Sequence, residues 1–159
     1  MEPPADAITY EEASIEIHAS PRVVYDLVSD LPRMGEWSDE NAGGEWRDGG
    51  TGEVGDWFVG VNRTPEREWT REVQVAVADP GREFTFVVNG IEANTTWWSY
   101  RMEPGPTEGR TTLAERWWIV NKTPAMAAAT PEQFKQRIEV TRSMLASTVA
   151  AIKAAAEQS

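Results

Sequence analysis

The chain has 159 residues, no cysteine, and 26 acids against 15 bases, for a formal net charge of −11. These numbers exclude a disulfide framework, a thiolate metal site and a cysteine nucleophile. They also disfavour nucleic acid and anionic membranes as partners, since both need clustered Lys and Arg. Eight Trp is a heavy load that suits cores and binding pockets alike, because each indole brings a large apolar area and one N–H donor.

The length and the lack of a linker predict one domain, residues 12–157, behind a loose lead-in over residues 1–11. Met1 to Glu12 includes Asp6, Glu11 and Glu12 and lacks the basic and apolar regions of a signal peptide. No uncharged run is long enough to span a bilayer, so the expectation is a soluble, cytoplasmic protein. The Asn-x-Ser/Thr matches at Asn62, Asn94 and Asn121 then read as chance.

In chain order, Ala13 to Ala19 alternates Ile15 and Ile17 with Glu16 and His18, which predicts a half-buried strand. Ser20-Pro21 starts a helix with Val24, Leu27, Val28 and Leu31 on its apolar side, and Pro32 stops it. A short turn follows at Met34 to Trp37. Glycines then punctuate a stretch with a brief strand around Trp46. Trp57 to Arg63 reads as a strand closed by a turn at Thr64-Pro65-Glu66. Trp69 to Ala78 places Trp69, Val73, Val75 and Val77 on one side. Asp79-Pro80-Gly81 and Asn89-Gly90 are turns flanking a strand with Phe84, Phe86 and Val88 on one face.

Thr95 to Met102 groups Trp98, Tyr100 and Met102. Arg110 to Val120 groups Thr111, Leu113, Glu115, Trp117 and Ile119. A loop with a helical turn near Met126 leads to the last stretch. There Thr130 is an N-cap, Pro131 the first helical residue, and Gln133 completes a capping box. Phe134, Ile138, Thr141, Leu145, Thr148, Val149, Ile152 and Ala156 then form one stripe of a helix roughly 40 Å long. Thr141 and Thr148 are polar members of that stripe. Either each bonds back to a preceding carbonyl, or this face looks into a cavity. The element order gives α+β: an antiparallel meander with helices on one face.

Gly50-Thr51-Gly52-Glu53-Val54-Gly55 matches G-x-G-x-x-G, but strand-forming residues follow instead of a helix, so it reads as a hairpin and not a dinucleotide site. His18 alternates away from the core and has no second His or Cys, which leaves no zinc site and no Ser-His-Asp triad. Glu115 shares the presumed inner face with Leu113 and Trp117. A carboxyl there is either in acid/base range through desolvation, or paired with an inward base such as Arg137, or placed at a solvated mouth. Asn62 shares a face with Phe58 and Gly60 and could orient a ligand carbonyl in the room beside Gly60; a strand-end hydrogen bond is its other reading. Tyr100 offers a phenol beside Trp98. Trp57, Val59, Val61 and Trp97 fall on the opposite face, where an exposed apolar strip would suit a protein partner.

The segment Ser20-Pro21-x-x-Val24-Tyr25-x-Leu27-Val28-Ser29-Asp30-Leu31, followed by Gly35-Glu36-Trp37-Ser38, resembles the opening of the polyketide cyclase/dehydrase-like families of the START/Bet v 1-like superfamily. Further matches run in order: Gly55-x-x-Phe58-x-Gly60-x-Asn62-Arg63, Trp69, Asp79-Pro80-Gly81-Arg82-x-Phe84, Trp98-x-Tyr100, Glu115, and Met144-x-x-x-Thr148-Val149-x-x-Ile152-Lys153. The resemblance implies a helix-grip fold, a curved antiparallel sheet around the terminal helix, enclosing an apolar cavity. It implies a small hydrophobic ligand, polyketide-, aromatic- or lipid-like, and no cofactor. Tyr25 would line the cavity, and Glu36 and Trp37 would sit at its entrance, with Trp37 as lid or wall. Phe58, Gly60, Asn62, Trp69, Phe84, Phe86, Trp98, Tyr100 and Trp117 would line the sheet side, and Thr141, Met144, Leu145 and Thr148 the helix side. Three functions stay open: acid/base cyclisation or dehydration by Glu115, Tyr100 and Asn62; a carrier without chemistry; or a co-chaperone-like interaction module. A homodimer is left open as well.

Overall fold

A computed structural model describes residues 1–39 and 41–158. Its elements run β1 (Thr9–Ile17), α1 (Pro21–Val28), a 3-10 turn (Leu31–Glu36), β2 (Asn41–Trp46), β3 (Trp57–Arg63), β4 (Glu68–Asp79), β5 (Glu83–Val88), β6 (Thr96–Pro104), β7 (Thr111–Ile119), α2 (Pro124–Ala128) and α3 (Pro131–Glu157). Among the described residues, seven antiparallel strands form one sheet in the order β1-β7-β6-β5-β4-β3-β2. The sheet curves around α3, which is the α+β helix-grip arrangement expected from the sequence. No helix among the described residues is long and apolar enough to cross a membrane.

Local chemistry accounts for the elements. Ser20 caps α1 by accepting from the Val23 N–H, and Pro21 occupies the first turn. Thr130 and Gln133 form a reciprocal capping box at the start of α3. The buried side of α3 is the expected stripe, Thr141, Leu145, Thr148, Val149, Ile152 and Ala156. This helix rests on β1 and β7 and meets α1 at its far end. The main core joins Ile17, Val24, Leu31, Val75, Phe84, Leu113 and Ile152 between the sheet and the two helices.

Three local expectations change. The first helix ends at Val28, before Leu31. The Ser29 hydroxyl donates to the Tyr25 carbonyl at 2.8 Å, and the residue ahead of Pro32 is disfavoured in α conformation, so the chain continues as a 3-10 turn. In β4 the pairing runs Val75 with Phe86, then Val77 with Thr85 and Ala78 with Phe84. That one-residue bulge turns Val77 to the convex side and brings Ala78 into the core, against the simple alternation. Finally, the first residues are not a loose lead-in. Strand β1 starts at Thr9, and residues before it lie on the convex face, where the Met1 carbonyl accepts from Arg116 and Glu2 pairs with Arg101 at 2.7 Å.

That covering explains the convex aromatics. Trp97 and Trp118 stack at 5.7 Å with their planes 7° apart, and Val87, Ala7 and Ala76 pack around them as a second small core. Trp97 is therefore buried, not part of an exposed strip, while Trp57, Val59 and Val61 are half-buried.

Candidate functional site

Strands β6 and β7 pair Trp98 with Trp117 and Tyr100 with Glu115, and all four side chains point toward α3 by alternation. Glu115 is 3% exposed and Tyr100 2%. Burial pushes the Glu115 pKa up to about 8, and hydrogen bonding from Tyr100 draws it partly back. Burial raises the Tyr100 pKa too, with Glu115 adding to it. Glu115 forms no ion pair among the described residues, and Arg137, considered above as its partner, is exposed on α3. At neutral pH the Glu115 carboxyl is thus mostly protonated, a neutral acid in an apolar setting.

The surroundings hold further polar atoms. Trp117, Ile119 and Leu145 form a cluster with Trp98, Ile138 and Phe134 packed against it. Thr141 lies between Ile138 and Leu145 on the same stripe of α3, so it faces the same part of the sheet. Its Oγ1 is buried without a hydrogen-bond partner, so the expected bond to a preceding carbonyl is not made. Thr96 Oγ1, Glu115 Oε1 and Trp117 Nε1 are likewise buried and unpartnered on the concave side.

The other expected lining residues divide into two groups. Tyr25 meets Phe84 edge-on at 6.1 Å, Phe84 meets Phe86 at 6.2 Å, and Phe58 meets Trp46 edge-on at 5.2 Å. Trp37 is buried in the same core, with the Arg33 guanidinium 5.7 Å above its ring. Leu145 and Thr148 are buried on α3, and Met144, half-buried, borders an open groove of about 460 Å³ that Val140, Ser143, Ser147 and Asp39 also line.

Asn62 and Trp69 belong elsewhere. They pair with each other at one end of the sheet, whereas Tyr100 is level with Phe84 and Ala78. Along β4 that separates Trp69 from Ala78 by nine residues (78 − 69), or roughly 25–30 Å of strand. Asn62 is thus not part of the Glu115–Tyr100 pair. Trp69 is half-buried at the rim, with Arg67 stacked 4.1 Å from its ring. Beside Gly60 a methyl group would sit in ordinary contact with Phe58 at 3.5 Å and the Asn41 amide at 3.7 Å. Sequence reasoning missed Arg71, which pairs with Gly60 and is exposed on the concave side at this rim. Its alternation with Trp69 and Val73 was the available signal.

The glycine loop before β3 is self-contained. Asp56 Oδ2 accepts from the backbone N–H groups of Thr51, Gly52 and Glu53 at 2.9–3.1 Å, which lowers the Asp56 pKa. The loop's own carboxylate occupies the donors that a phosphate would need, and no helix follows. His18 is exposed at the end of β1, and its backbone N–H donates to Glu157.

The family model for polyketide cyclase/dehydrase and lipid transport matches residues 11–157. The chain belongs to this family. The polyketide cyclase-like protein Cgl2372 from Corynebacterium glutamicum is 34% identical, with 91% of this chain and 88% of that one covered and a TM-score of 0.65. The Zhui aromatase/cyclase from Streptomyces sp. R1128 shares the fold at 14% identity, with 94% of each chain covered and a TM-score of 0.73. Ara h 8.0201 shares it at 11% identity, with 95% and 99% covered and a TM-score of 0.63. Among curated proteins nothing matches.

Proposed function

We propose that this family member binds a small apolar molecule between α3 and the sheet, and that Glu115, neutral at pH 7 beside Tyr100, donates a hydrogen bond or a proton to an oxygen of that molecule. The observation that carries the reading is the Glu115 carboxyl itself. An unpaired acid 3% exposed, with Oε1 unpartnered, destabilises the fold unless a bound group meets it. An acid with a pKa near the working pH is also suited to proton transfer, so cyclisation or dehydration of a carbonyl compound fits the pair. The Zhui protein is an aromatase/cyclase by name, which is consistent with this chemistry.

A second reading is a carrier without chemistry. It is favoured by the distance of Asn62, which leaves Glu115 and Tyr100 without the third polar group expected for carbonyl activation. Native mass spectrometry of the purified protein tests binding: a co-purified small molecule, or saturable uptake of the neutral probe N-phenyl-1-naphthylamine with quenching of Trp98 and Trp117, is expected. A protein that takes up neither has no ligand site here. Glu115→Gln then separates the two readings. A general acid loses about 10²–10⁴-fold in turnover of a cyclisable substrate while affinity is kept; a carrier shows no turnover to lose.

A further inference from the structure

On the convex side, away from α3, strands β1, β7 and β6 border a hollow of about 270 Å³. Two small side chains on its lining, Ser14 and Ala114, are Cα partners across β1 and β7. The volume lies just under the roughly 300–1,000 Å³ of ordinary ligand pockets, so the hollow suits a small molecule.

Arg116 also lines it and is 3% exposed. Its guanidinium has five N–H donors and no acceptor. Nη2 donates to the Met1 carbonyl and to Ser99 Oγ, at 2.7 and 2.9 Å. Nε is buried without a partner, and Nη1 comes no nearer to a carboxylate than 3.6 Å, at Glu2. Buried donors left in this way are rare in native proteins, and a carboxylate is the group that best matches a guanidinium. Glu12 does not serve. It is the Cα partner of Arg116, yet it forms no ion pair with it and accepts from the Tyr10 phenol at 3.0 Å.

The acids of the hollow are in the reverse position. Arg101 is paired with Glu2 at 2.7 Å, and Glu12 and Glu103, both exposed, have no cation within ion-pair distance among the described residues. Three carboxylates thus line the hollow against two guanidiniums. That excess, with the chain's net charge of −11, opposes a simple anion. A simple cation would leave the Arg116 donors unmet. A molecule carrying both charges answers both groups. The order of residues also fits one: Arg116, Ala114 and Thr112 follow one another on the convex side of β7, and Glu103 is the partner of Thr112 on β6.

We propose that this convex hollow binds a free α-amino acid with a cationic side chain. The carboxylate accepts from Arg116, the α-ammonium donates to Glu12, and the side chain runs over Ser14 and Ala114 toward Glu103. The site is on the opposite face of the sheet from Glu115 and stands apart from the ligand reading above.

Three probes test it by NMR titration of the ¹⁵N-labelled protein at pH 7 and low salt: L-lysine, L-norleucine and 1,5-diaminopentane. L-Lysine is expected to shift the Ser14, Thr112 and Ala114 amides saturably. L-Norleucine lacks the distal cation and should bind about threefold weaker or more; the diamine lacks the carboxylate and should bind about tenfold weaker. Glu103→Gln should bring L-lysine to the affinity of L-norleucine while leaving L-norleucine unchanged. Ser14→Leu fills the hollow from an exposed position of β1 and should abolish both. Equal binding of L-lysine and the diamine overturns the role of Arg116. Equal binding of L-lysine and L-norleucine overturns the cationic class. Shifts that persist in Ser14→Leu overturn the location, and no saturable shift with any probe overturns the site.

Discussion

Tyr100 and Glu115 are Cα partners across β6 and β7, both buried on the concave side and facing α3. The phenol is the hydrogen-bonding group acting on a carboxyl that no cation approaches among the described residues. Cross-strand pairing holds the two together regardless of any ligand, because the ladder on either side fixes the register. The acid is thus built into the sheet and not carried on a loop.

That placement makes stability depend on pH in a definite direction. The folded Glu115 pKa of about 8 lies above the ordinary 4.5, so the folded state holds the proton more tightly than the unfolded chain. Its contribution is fully present below pH 4.5 and is lost as pH rises through 8, at roughly 1 kcal/mol per pH unit inside that window. Thermal unfolding of wild type and Glu115→Gln across pH 5–9 should show the wild type losing stability relative to the variant. Parallel curves would mean that Glu115 is not buried as described.

The grip depends on α3. Leu145 is 1% exposed between Trp117 and Ile119, so Leu145→Ala should lower unfolding stability by about 2–5 kcal/mol in urea titrations. A chain ending at Ala129 should lose cooperative unfolding altogether, since β1 and β7 lose the surface they pack on.

The loop at Gly50–Gly55 should bind no NAD, NADP or FAD in equilibrium dialysis. Its order comes from Asp56 instead. Asp56→Asn should speed hydrogen exchange at the Thr51, Gly52 and Glu53 amides. Because the Asp56 pKa is depressed, the same amides in wild type should lose protection as pH falls through the acid range, and not at neutral pH.

Gly44 sits at the bulge of β2 with φ +148°, and a Cβ there would fall 2.1 Å from the Val59 carbonyl oxygen. Gly44→Ala should therefore destabilise by more than Gly49→Ala, which carries the strain of a positive φ, about 1 kcal/mol, without a collision, since a Cβ there meets nothing within 4 Å. Although Gly49 also has positive φ, at +73°, only Gly44 combines it with a backbone collision, so the Tm difference between the two variants isolates the steric part.

Much of the fold is legible in the chain because short-range rules govern it. Caps and prolines place the starts of α1 and α3, and the stripe from Thr141 to Ala156 predicts the buried side of α3. Alternation alone puts Glu115, Trp117, Trp98 and Tyr100 on one face. Periodicity says nothing about offset between distant strands, however. Asn62, Gly60 and Trp69 have the right alternation for the concave side but the wrong level, because pairing through β4 carries them to the rim. The bulge that exchanges Val77 for Ala78 depends on pairing with β5, and the burial of Trp97 depends on Trp118 and the residues before β1. Only the tertiary structure shows that Thr141 makes no bond to its own helix and that Glu115 has no basic partner among the described residues. A sequence names which groups can hydrogen-bond or ionise. Whether each one finds a partner is decided by packing between segments far apart in the chain, and that is what leaves a protonated acid and unpartnered polar atoms on one side of this sheet.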